Sequence, residues 1–230
     1  MKKNTDIYIA IDTDSFSSAK KIINQLDSKY CGVKIGKELF TKCGPEIVMW
    51  VKKEGFKVFL DLKFHDIPNT VMKACSVASK LNIDILNVHA LGGKNMMIAA
   101  KSVITSNKTK LIGVTLLTSH DQNFLDEVGL KGSIGDCIKR LAISVAESGL
   151  DGIVCAASDI PNIREYLPKD FIFITPGIRF DKLNNDDQKR ATNPIDALNF
   201  GSNALVIGRP ITGATNPKNV LIKLYNQINS

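Results

Sequence analysis

The sequence lacks the features that mark several classes of protein. Its five cysteines are scattered and form no CxxC pair, which argues against a disulfide framework or a cysteine zinc site and favours reduced thiols. No apolar run reaches the length that spans a bilayer, and residues 1–6 lead into an apolar strand with no room for a signal peptide. We therefore expect a cytoplasmic protein that does not bind a membrane.

The sequence also has no basic arm and no low-complexity linker. Its formal net charge is +7, but the 30 Lys and Arg residues are interspersed with 23 Asp and Glu residues. Such mixing argues against a nucleic-acid partner. A preference for anionic small molecules explains the positive net charge equally well. At 230 residues and 44% hydrophobic composition, the chain is expected to bury one core as a single domain, residues 1–230.

Short apolar segments alternate with amphipathic segments along the whole chain. The predicted strands are Ile7–Asp12, Gly32–Gly36, Lys57–Phe64, Ile85–Ala90, Lys110–Thr118, Gly152–Ser158, Phe171–Gly177 and Ala204–Gly208. The predicted helices are Ser18–Tyr30, Gly44–Glu54, Asn69–Leu81, Lys94–Thr105, Ile138–Ser148, Asn162–Leu167, Pro194–Phe200 and Pro217–Ile228. This alternation predicts an α/β protein with a (β/α)8 TIM-barrel fold. An open doubly wound sheet is the alternative, but no GxGxxG motif opens the first helix.

The third predicted strand carries ionisable residues at its carboxyl end. Strand alternation places Phe59, Asp61 and Lys63 on one face and apolar residues on the other. A barrel strand with its outer face under helices and its inner face ending in a site fits this pattern. A purely structural ion pair at the strand end is the simpler alternative.

Other predicted strands also end in polar residues, as a barrel site requires. Asp12 closes the first strand, and Lys34 lies inside the second. Because buried lysine and aspartate side chains need partners, we expect Asp12, Lys34, Asp61 and Lys63, which alternate in sign, to pair with one another.

The last two strands are followed by candidate phosphate-binding residues. Gly208 and Arg209 follow the eighth strand, where a glycine amide and a planar guanidinium suit an oxyanion. The polar segment 177–190 follows the seventh strand, and its length predicts a lid over the site. His65, His89 and His120 near strand ends raise the alternative of a zinc or iron site, although hydrogen-bonded histidines beside the site are the favoured interpretation.

Taken together, these motifs resemble the orotidine 5′-phosphate decarboxylase family of the bacterial type, over essentially the whole chain. The segments that carry the resemblance are Ile9–Asp12, Val33–Gly36, Asp61–Thr70, Thr115–Ser119, Thr175–Arg179 and Ile207–Pro210, with Gln188 in the predicted lid. The DxKxxD core at residues 61–66 is shared with metal-dependent decarboxylases and synthases of the same superfamily. The following Ile-Pro-Asn-Thr and the Ile-Gly-Arg-Pro segment are more specific.

The resemblance implies decarboxylation of orotidine 5′-monophosphate to uridine 5′-monophosphate and carbon dioxide, the last step of UMP biosynthesis, without metal or organic cofactor. It implies that Lys63 protonates the ring carbon and that Asp61 lies beside the departing carboxylate. It further implies that Lys34 bridges Asp61 and a ribose hydroxyl, and that Asp12 accepts a hydrogen bond from the ribose.

The resemblance also implies a homodimer with shared active sites. Asp66, Ile67 and Thr70 are then expected to reach the partner's site, with Asp66 completing the catalytic charge network. The remaining implied substrate-binding residues, which contact the pyrimidine or hold the phosphate and the lid, are Thr118, Pro176, Arg179, Gln188, Gly208 and Arg209.

Two other functions remain open from the sequence. One is a magnesium-dependent 3-keto-gulonate-phosphate decarboxylase or hexulose-phosphate synthase on the same scaffold. The other is a non-catalytic barrel that binds phosphate or RNA through its positive charge.

Overall fold

The computed structural model describes residues 5–105, 108–180 and 190–229. It contains eight parallel strands that pair in chain order, and β8 pairs with β1 to close the barrel. The strands are β1 (Asp6–Ile11), β2 (Gly32–Gly36), β3 (Val58–Phe64), β4 (Ile85–His89), β5 (Lys110–Val114), β6 (Gly152–Val154), β7 (Ile172–Thr175) and β8 (Ala204–Ile207). The predicted (β/α)8 TIM barrel is confirmed.

The helices lie between the strands and after the last one. Within the described residues they are α1 (Phe16–Ile23), α2 (Lys37–Cys43), α3 (Pro45–Lys53), α4 (Pro68–Ser79), α5 (Gly93–Ser102), α6 (Gln122–Glu127), α7 (Ile134–Glu147), α8 (Ile160–Ile163), α9 (Pro194–Asn199), α10 (Arg209–Thr212) and α11 (Pro217–Asn229). None of them is long and apolar enough to cross a membrane.

The first predicted helix is shorter than its hydrophobic pattern indicates. It ends at Ile23, and the chain continues in turns that leave Leu26 only 8% exposed. The sequence pattern predicted a helix as far as Tyr30 because Leu26 is apolar at a helical spacing, but Leu26 is buried in a turn. Helix α2, which lies between the end of β2 and the C-cap residue Gly44, was not predicted from the sequence.

Strands β5, β6 and β7 end earlier than predicted, at Val114, Val154 and Thr175. The residues that follow them are still buried, because the loops at this edge turn inward. Thr115, for example, is fully buried, and its hydroxyl donates to the carbonyl oxygen of Val154 at 3.1 Å. The apolar residues at these positions therefore indicate that the segment is buried, but they do not show where the hydrogen-bonded strand ends.

The core has two layers that follow from the alternation of side chains along the strands. The larger layer lies between the barrel and its helices and includes Ile9, Leu60 and Leu205. The smaller layer fills the barrel interior and consists of Tyr8, Ala10, Phe59, Ile85, Ile112, Val114, Val154, Ile174, Ala204 and Val206. The interior is therefore packed, and the polar residues are confined to its ends.

Candidate active site

A cavity of about 430 Å³ lies at the carboxyl ends of the strands. Interior core residues, among them Phe59 and Val206, form part of its lining. Its other lining residues come from nearly every strand end around the barrel: Asp12, Lys34, Lys37, Asp61, Lys63, Leu116, Leu117, Thr118, Ser119, Cys155, Pro176, Gly177, Arg179, Gly208 and Arg209. A cavity in this position is where barrel enzymes carry out their chemistry.

One wall of the cavity is a chain of ion pairs contributed by β1, β2 and β3. Lys34 Nζ lies 3.3 Å from Asp12 Oδ1 and 3.3 Å from Asp61 Oδ2. Lys63 Nζ lies 2.6 Å from Asp61 Oδ1. The predicted mutual pairing of these alternating charges is confirmed.

The inner members of this chain are removed from water. Lys34 is 8% exposed and Asp61 is 9% exposed, whereas Asp12 is open to solvent. Burial raises the pKa of Asp61, but the charges of Lys34 and Lys63 and hydrogen bonds from Lys63 and Asn87 together lower it below its usual value. Asp61 is therefore held as a carboxylate between two ammonium groups.

The end of β3 is irregular where the charged residues lie. Leu60 pairs with Leu86 and Phe64 pairs with Val88, so three β3 residues face the single residue Asn87. Lys63 has a φ of 51°, in the left-handed region that few non-glycine residues adopt. The regular strand is therefore interrupted at Lys63, but the predicted common face of Phe59, Asp61 and Lys63 is confirmed, since all three line the cavity and Lys63 reaches Asp61.

The same cavity brings together the residues predicted to bind phosphate and pyrimidine. Thr118, Pro176, Arg179, Gly208 and Arg209 all line the same cavity as the ion-pair chain. Gln188 and the centre of the predicted lid, residues 181–189, lie outside the described residues. The ends of that segment are paired with each other, since Arg179 N–H donates to Thr192 O at 3.0 Å and Thr192 N–H to Gly177 O at 3.1 Å.

Asp66, Ile67 and Thr70 are not brought to this cavity. All three are exposed, and the side chain of Ile67 is 66% exposed although it is apolar. Asp66 Oδ1 accepts a hydrogen bond from the Ile67 N–H at 2.6 Å, just before Pro68 opens α4. These residues therefore form an exposed edge outside the cavity of their own chain.

The three histidines do not assemble into a metal site. Among the described residues, no group of three or more His, Cys, Asp or Glu side chains is placed to hold a metal ion. The rings of His65 and His89 stack at 5.5 Å, and His89 Nδ1 accepts the Leu91 N–H at 3.4 Å. Burial, followed by the charges of His65 and Lys63, lowers the pKa of His89 to about 4.

Two sets of residues near the site escaped the sequence analysis. Asn87 donates a hydrogen bond to Asp61 Oδ1 at 2.7 Å. The feature that could have identified it in the sequence is its position as a polar residue within the apolar fourth strand. Arg190 forms two bonds of 2.9 Å with the carboxylate of Asp159 and donates to the carbonyl of Leu117 at 3.1 Å. Arg190 thereby ties together the segments that follow β5, β6 and β7, a link between distant residues that no local pattern indicates.

A closed parallel barrel with paired lysine and aspartate residues and two arginines around one cavity is typical of a barrel enzyme that acts on a small molecule. The comparisons with known proteins agree. Residues 5–224 match the model of the orotidine 5′-phosphate decarboxylase / HUMPS family. The chain belongs to this family.

Individual relatives match along nearly their whole length. The chain is 47% identical to orotidine 5′-phosphate decarboxylase of Nitrosomonas eutropha over 96% of both chains. It is 45% identical to the same enzyme of Aliivibrio fischeri, over 99% of this chain and 97% of the relative. Among solved structures, orotidine 5′-phosphate decarboxylase of Lactobacillus acidophilus matches with a TM-score of 0.87 at 34% identity, covering 98% of this chain and all of that one.

Proposed function

We propose that this chain decarboxylates orotidine 5′-monophosphate to uridine 5′-monophosphate and carbon dioxide, with no metal or organic cofactor. The observation that carries the proposal is the Lys34–Asp61–Lys63 array in the wall of the cavity, in which Lys34 and Asp61 are buried and Lys63 Nζ lies 2.6 Å from Asp61. Membership of the family supports the substrate, and the array supports the chemistry.

In the proposed step, the bond between ring carbon C6 and the carboxylate breaks, and its electron pair stays on C6. Carbon dioxide departs, and Lys63 Nζ donates a proton to C6. Lys63 then regains a proton from water, which its side chain can reach because it is 25% exposed. The ammonium of Lys63 thus offsets the developing charge first and neutralises it afterwards.

The required stabilisation is large because the pyrimidine ring does not delocalise this carbanion. Barriers of this kind call for a reduction on the order of 20 kcal/mol. Fixed charges in a site that excludes water supply such stabilisation without reorganising during the reaction. Asp61 keeps Lys63 in place, and its charge beside the substrate carboxylate also favours departure of carbon dioxide.

The remaining cavity residues suit the rest of the substrate. We assign Asp12 and Lys34 to the ribose hydroxyls and Thr118 to the pyrimidine. Pro176, Arg179, Gly208 and Arg209 are assigned to the phosphate end, together with Gln188. A guanidinium pair suits a dianionic phosphate because each planar fork donates two parallel hydrogen bonds.

We further propose a cytoplasmic homodimer of single-domain chains, in which Asp66, Ile67 and Thr70 enter the partner's site. Their exposure supports this assignment, since exposed residues that lie outside the cavity of their own chain are available to a partner, and Ile67 is apolar yet 66% exposed. Asp66 would then add a second carboxylate to the network around the partner's Lys63.

The decisive measurement is the loss of orotidine 5′-monophosphate absorbance with purified protein in the presence of EDTA. We expect turnover by the wild type and a loss of more than about 1,000-fold in Lys63→Ala, since charge stabilisation and proton transfer both depend on this residue. Lys52→Ala is the matched control. Lys52 forms a 2.7 Å ion pair with Asp84 and is 28% exposed, much like Lys63, but it does not line the cavity.

Two further assays beside this one separate the alternatives. Turnover of a sugar phosphate that EDTA abolishes, with none of orotidine 5′-monophosphate, would indicate the magnesium-dependent branch of the superfamily. RNA binding that falls steeply with salt and survives Lys63→Ala, again with no turnover of orotidine 5′-monophosphate, would indicate a binding protein. Either result would refute the proposed reaction.

A further inference from the structure

Asn87 is the buried polar residue closest to the proposed chemistry that has no assigned role. It lies in β4 between Leu86 and Val88, and its exposure is 0%. A buried side-chain amide is costly unless its donor and its acceptor are both satisfied. In this chain both ends of the amide are bonded to β3, at Lys63, the proposed proton donor, and at Asp61, the carboxylate that holds Lys63.

The first bond fixes the carboxylate of Asp61. Asn87 Nδ2 donates to Asp61 Oδ1 at 2.7 Å, the same oxygen that accepts from Lys63 Nζ at 2.6 Å. The other oxygen, Oδ2, faces Lys34 Nζ at 3.3 Å. Two donors on Oδ1 and a cation on Oδ2 leave the carboxylate little freedom to rotate about its Cβ–Cγ bond.

The second bond fixes the backbone of Lys63. Its N–H donates to Asn87 Oδ1 at 2.8 Å, at the point where the regular ladder between β3 and β4 is interrupted. The Asn87 side chain therefore replaces a missing ladder bond and supports the left-handed φ of 51° at Lys63. Such a backbone conformation costs free energy and persists only where its surroundings hold it.

We propose that Asn87 is a positioning residue for the proposed decarboxylation, coupling the carboxylate of Asp61 to the backbone of Lys63. This inference rests on the proposed function and extends it. Asn87 is fully buried and is not among the residues that line the cavity in the described part of the chain. It therefore acts on the geometry of the two reacting groups and not on substrate binding.

The test compares Asn87→Ala with Asn87→Asp in steady-state kinetics. We expect kcat to fall about 100-fold in Asn87→Ala with KM changed less than about threefold, because a displacement near 1 Å at the reacting groups is sufficient for such a loss. The acidic limb of the pH profile should move to higher pH, since Asp61 would keep its charge partners Lys34 and Lys63 but lose the hydrogen bond that lowers its pKa.

Asn87→Asp tests the two bonds separately. Aspartate has nearly the same shape and retains an acceptor for the Lys63 N–H, but it replaces the donor to Asp61 with a second carboxylate. Protection of the Lys63 amide from hydrogen exchange should therefore be lost in Asn87→Ala and kept in Asn87→Asp. The acidic limb should move further in Asn87→Asp than in Asn87→Ala.

Asn203→Ala is the matched control. Asn203 Oδ1 also accepts a backbone N–H, that of Phe173, at 2.8 Å, but it lies just before β8, at the amino end of the barrel strands. It should lose stability without a change in kcat. If Asn87→Ala does not fold, Asn87→Asp decides on its own.

If the folded Asn87 variants have a kcat within threefold of the wild-type value and an unchanged acidic limb of the pH profile, the inference is overturned. The proposed reaction is not affected by that result. If the wild type shows no turnover of orotidine 5′-monophosphate, the proposed function fails instead. Amide exchange at Lys63 then still tests the coupling, and unchanged protection in Asn87→Ala would overturn it.

Discussion

The carboxylate of Asp61 lies between two lysine ammonium groups, with Lys63 Nζ at 2.6 Å and Lys34 Nζ at 3.3 Å. Burial alone would favour the neutral acid, but the two cations and two hydrogen bonds outweigh it and lower the pKa. An acid whose pKa is depressed in the folded state stabilises the protein above its unfolded pKa of about 4. This contribution is lost as the pH falls through the folded pKa.

We therefore expect Asp61→Asn to lower the free energy of unfolding by about 3 kcal/mol at pH 7, because two buried or half-buried lysines lose their shared partner. The difference from the wild type should shrink as the pH falls from about 4, where Asp61 of the unfolded chain becomes protonated, through the lower pKa of Asp61 in the folded protein. Urea denaturation of both proteins at several pH values measures this difference.

Asp151→Asn provides the comparison for that experiment. Burial raises the pKa of Asp151, but bonds from Lys101 and the Leu111 N–H, with the Lys110 charge, lower it overall. It lies at the amino ends of β5 and β6, away from the cavity. The stability loss should have the same pH dependence but leave turnover unchanged. A stability difference for Asp61→Asn that grows towards acid pH would contradict the assignment of Asp61 as a paired carboxylate.

A glycine at the end of β2 leaves space for the ion pair between Lys34 and Asp12. Gly36 follows Lys34 by two positions, and a Cβ built on Gly36 would lie 3.1 Å from Lys34 Nζ and 3.2 Å from Asp12 Oδ1. The backbone of Gly36 has an ordinary extended conformation, with φ of −88°. The glycine is therefore needed for space and not for its backbone angles.

We predict that Gly36→Ala folds with a stability change within about 1 kcal/mol. Its kcat/KM should fall about 10-fold, because the methyl group displaces the Lys34 ammonium from Asp12 and Asp61. Steady-state kinetics and thermal unfolding measure the two effects. Gly135→Ala in α7, where the nearest atom to the new Cβ is 3.9 Å away, should leave both nearly unchanged. Full activity in Gly36→Ala would show that Lys34 does not need its observed position.

The segment after β8 contributes Arg209 to the cavity. Arg209 is proposed to bind the phosphate, whereas Lys63 is the proposed proton donor. If grip on the phosphate also organises the charged wall, Arg209→Ala should lower kcat as well as raise KM, each by about 10-fold or more. Initial rates over a range of substrate concentrations separate the two parameters. A raised KM with wild-type kcat would mean that Arg209 contributes to binding alone.

These elements also show how far the sequence could be read. The order of strands and helices followed from periodicity, and the charge chain followed from its place at strand ends. The left-handed backbone at Lys63 did not, since nothing in the Asp-Leu-Lys-Phe run separates a bulge from a regular strand. Asn87 was missed because its role depends on β4 lying beside that bulge, a relation that exists only once the barrel has closed.

Closure of the barrel is also what brings the two halves of the site together. The lysine and aspartate residues come from β1 to β3, while the arginines follow β7 and β8, near the other end of the chain. Pairing of β8 with β1, with Ile9 opposite Ile207, puts Gly208 against Ala10, where a Cβ on Gly208 would lie 3.6 Å from Ala10 Cβ. Residues from both ends of the described chain thus line one cavity.

The proposed sharing of sites between two chains can be tested with two inactive variants. Lys63→Ala removes the proton donor from its own site, and Asp66→Asn removes the carboxylate proposed to act in the partner's site. In a mixed dimer, one site then carries both defects and the other carries neither. Unfolding and refolding an equal mixture should therefore recover about a quarter of the wild-type activity, since half of the dimers are mixed and each has one intact site.

Refolding each variant alone supplies the control, because neither should regain activity. Sedimentation analysis of Ile67→Asp should in addition reveal monomers if the exposed apolar side chain at residue 67 packs against a partner. Val128→Asp is the matched substitution, as Val128 is 50% exposed at the end of α6, and it should leave the mass unchanged. A mixture that regains no activity although mixed dimers form would place Asp66 in the site of its own chain, although Asp66 is not among the residues that line that cavity.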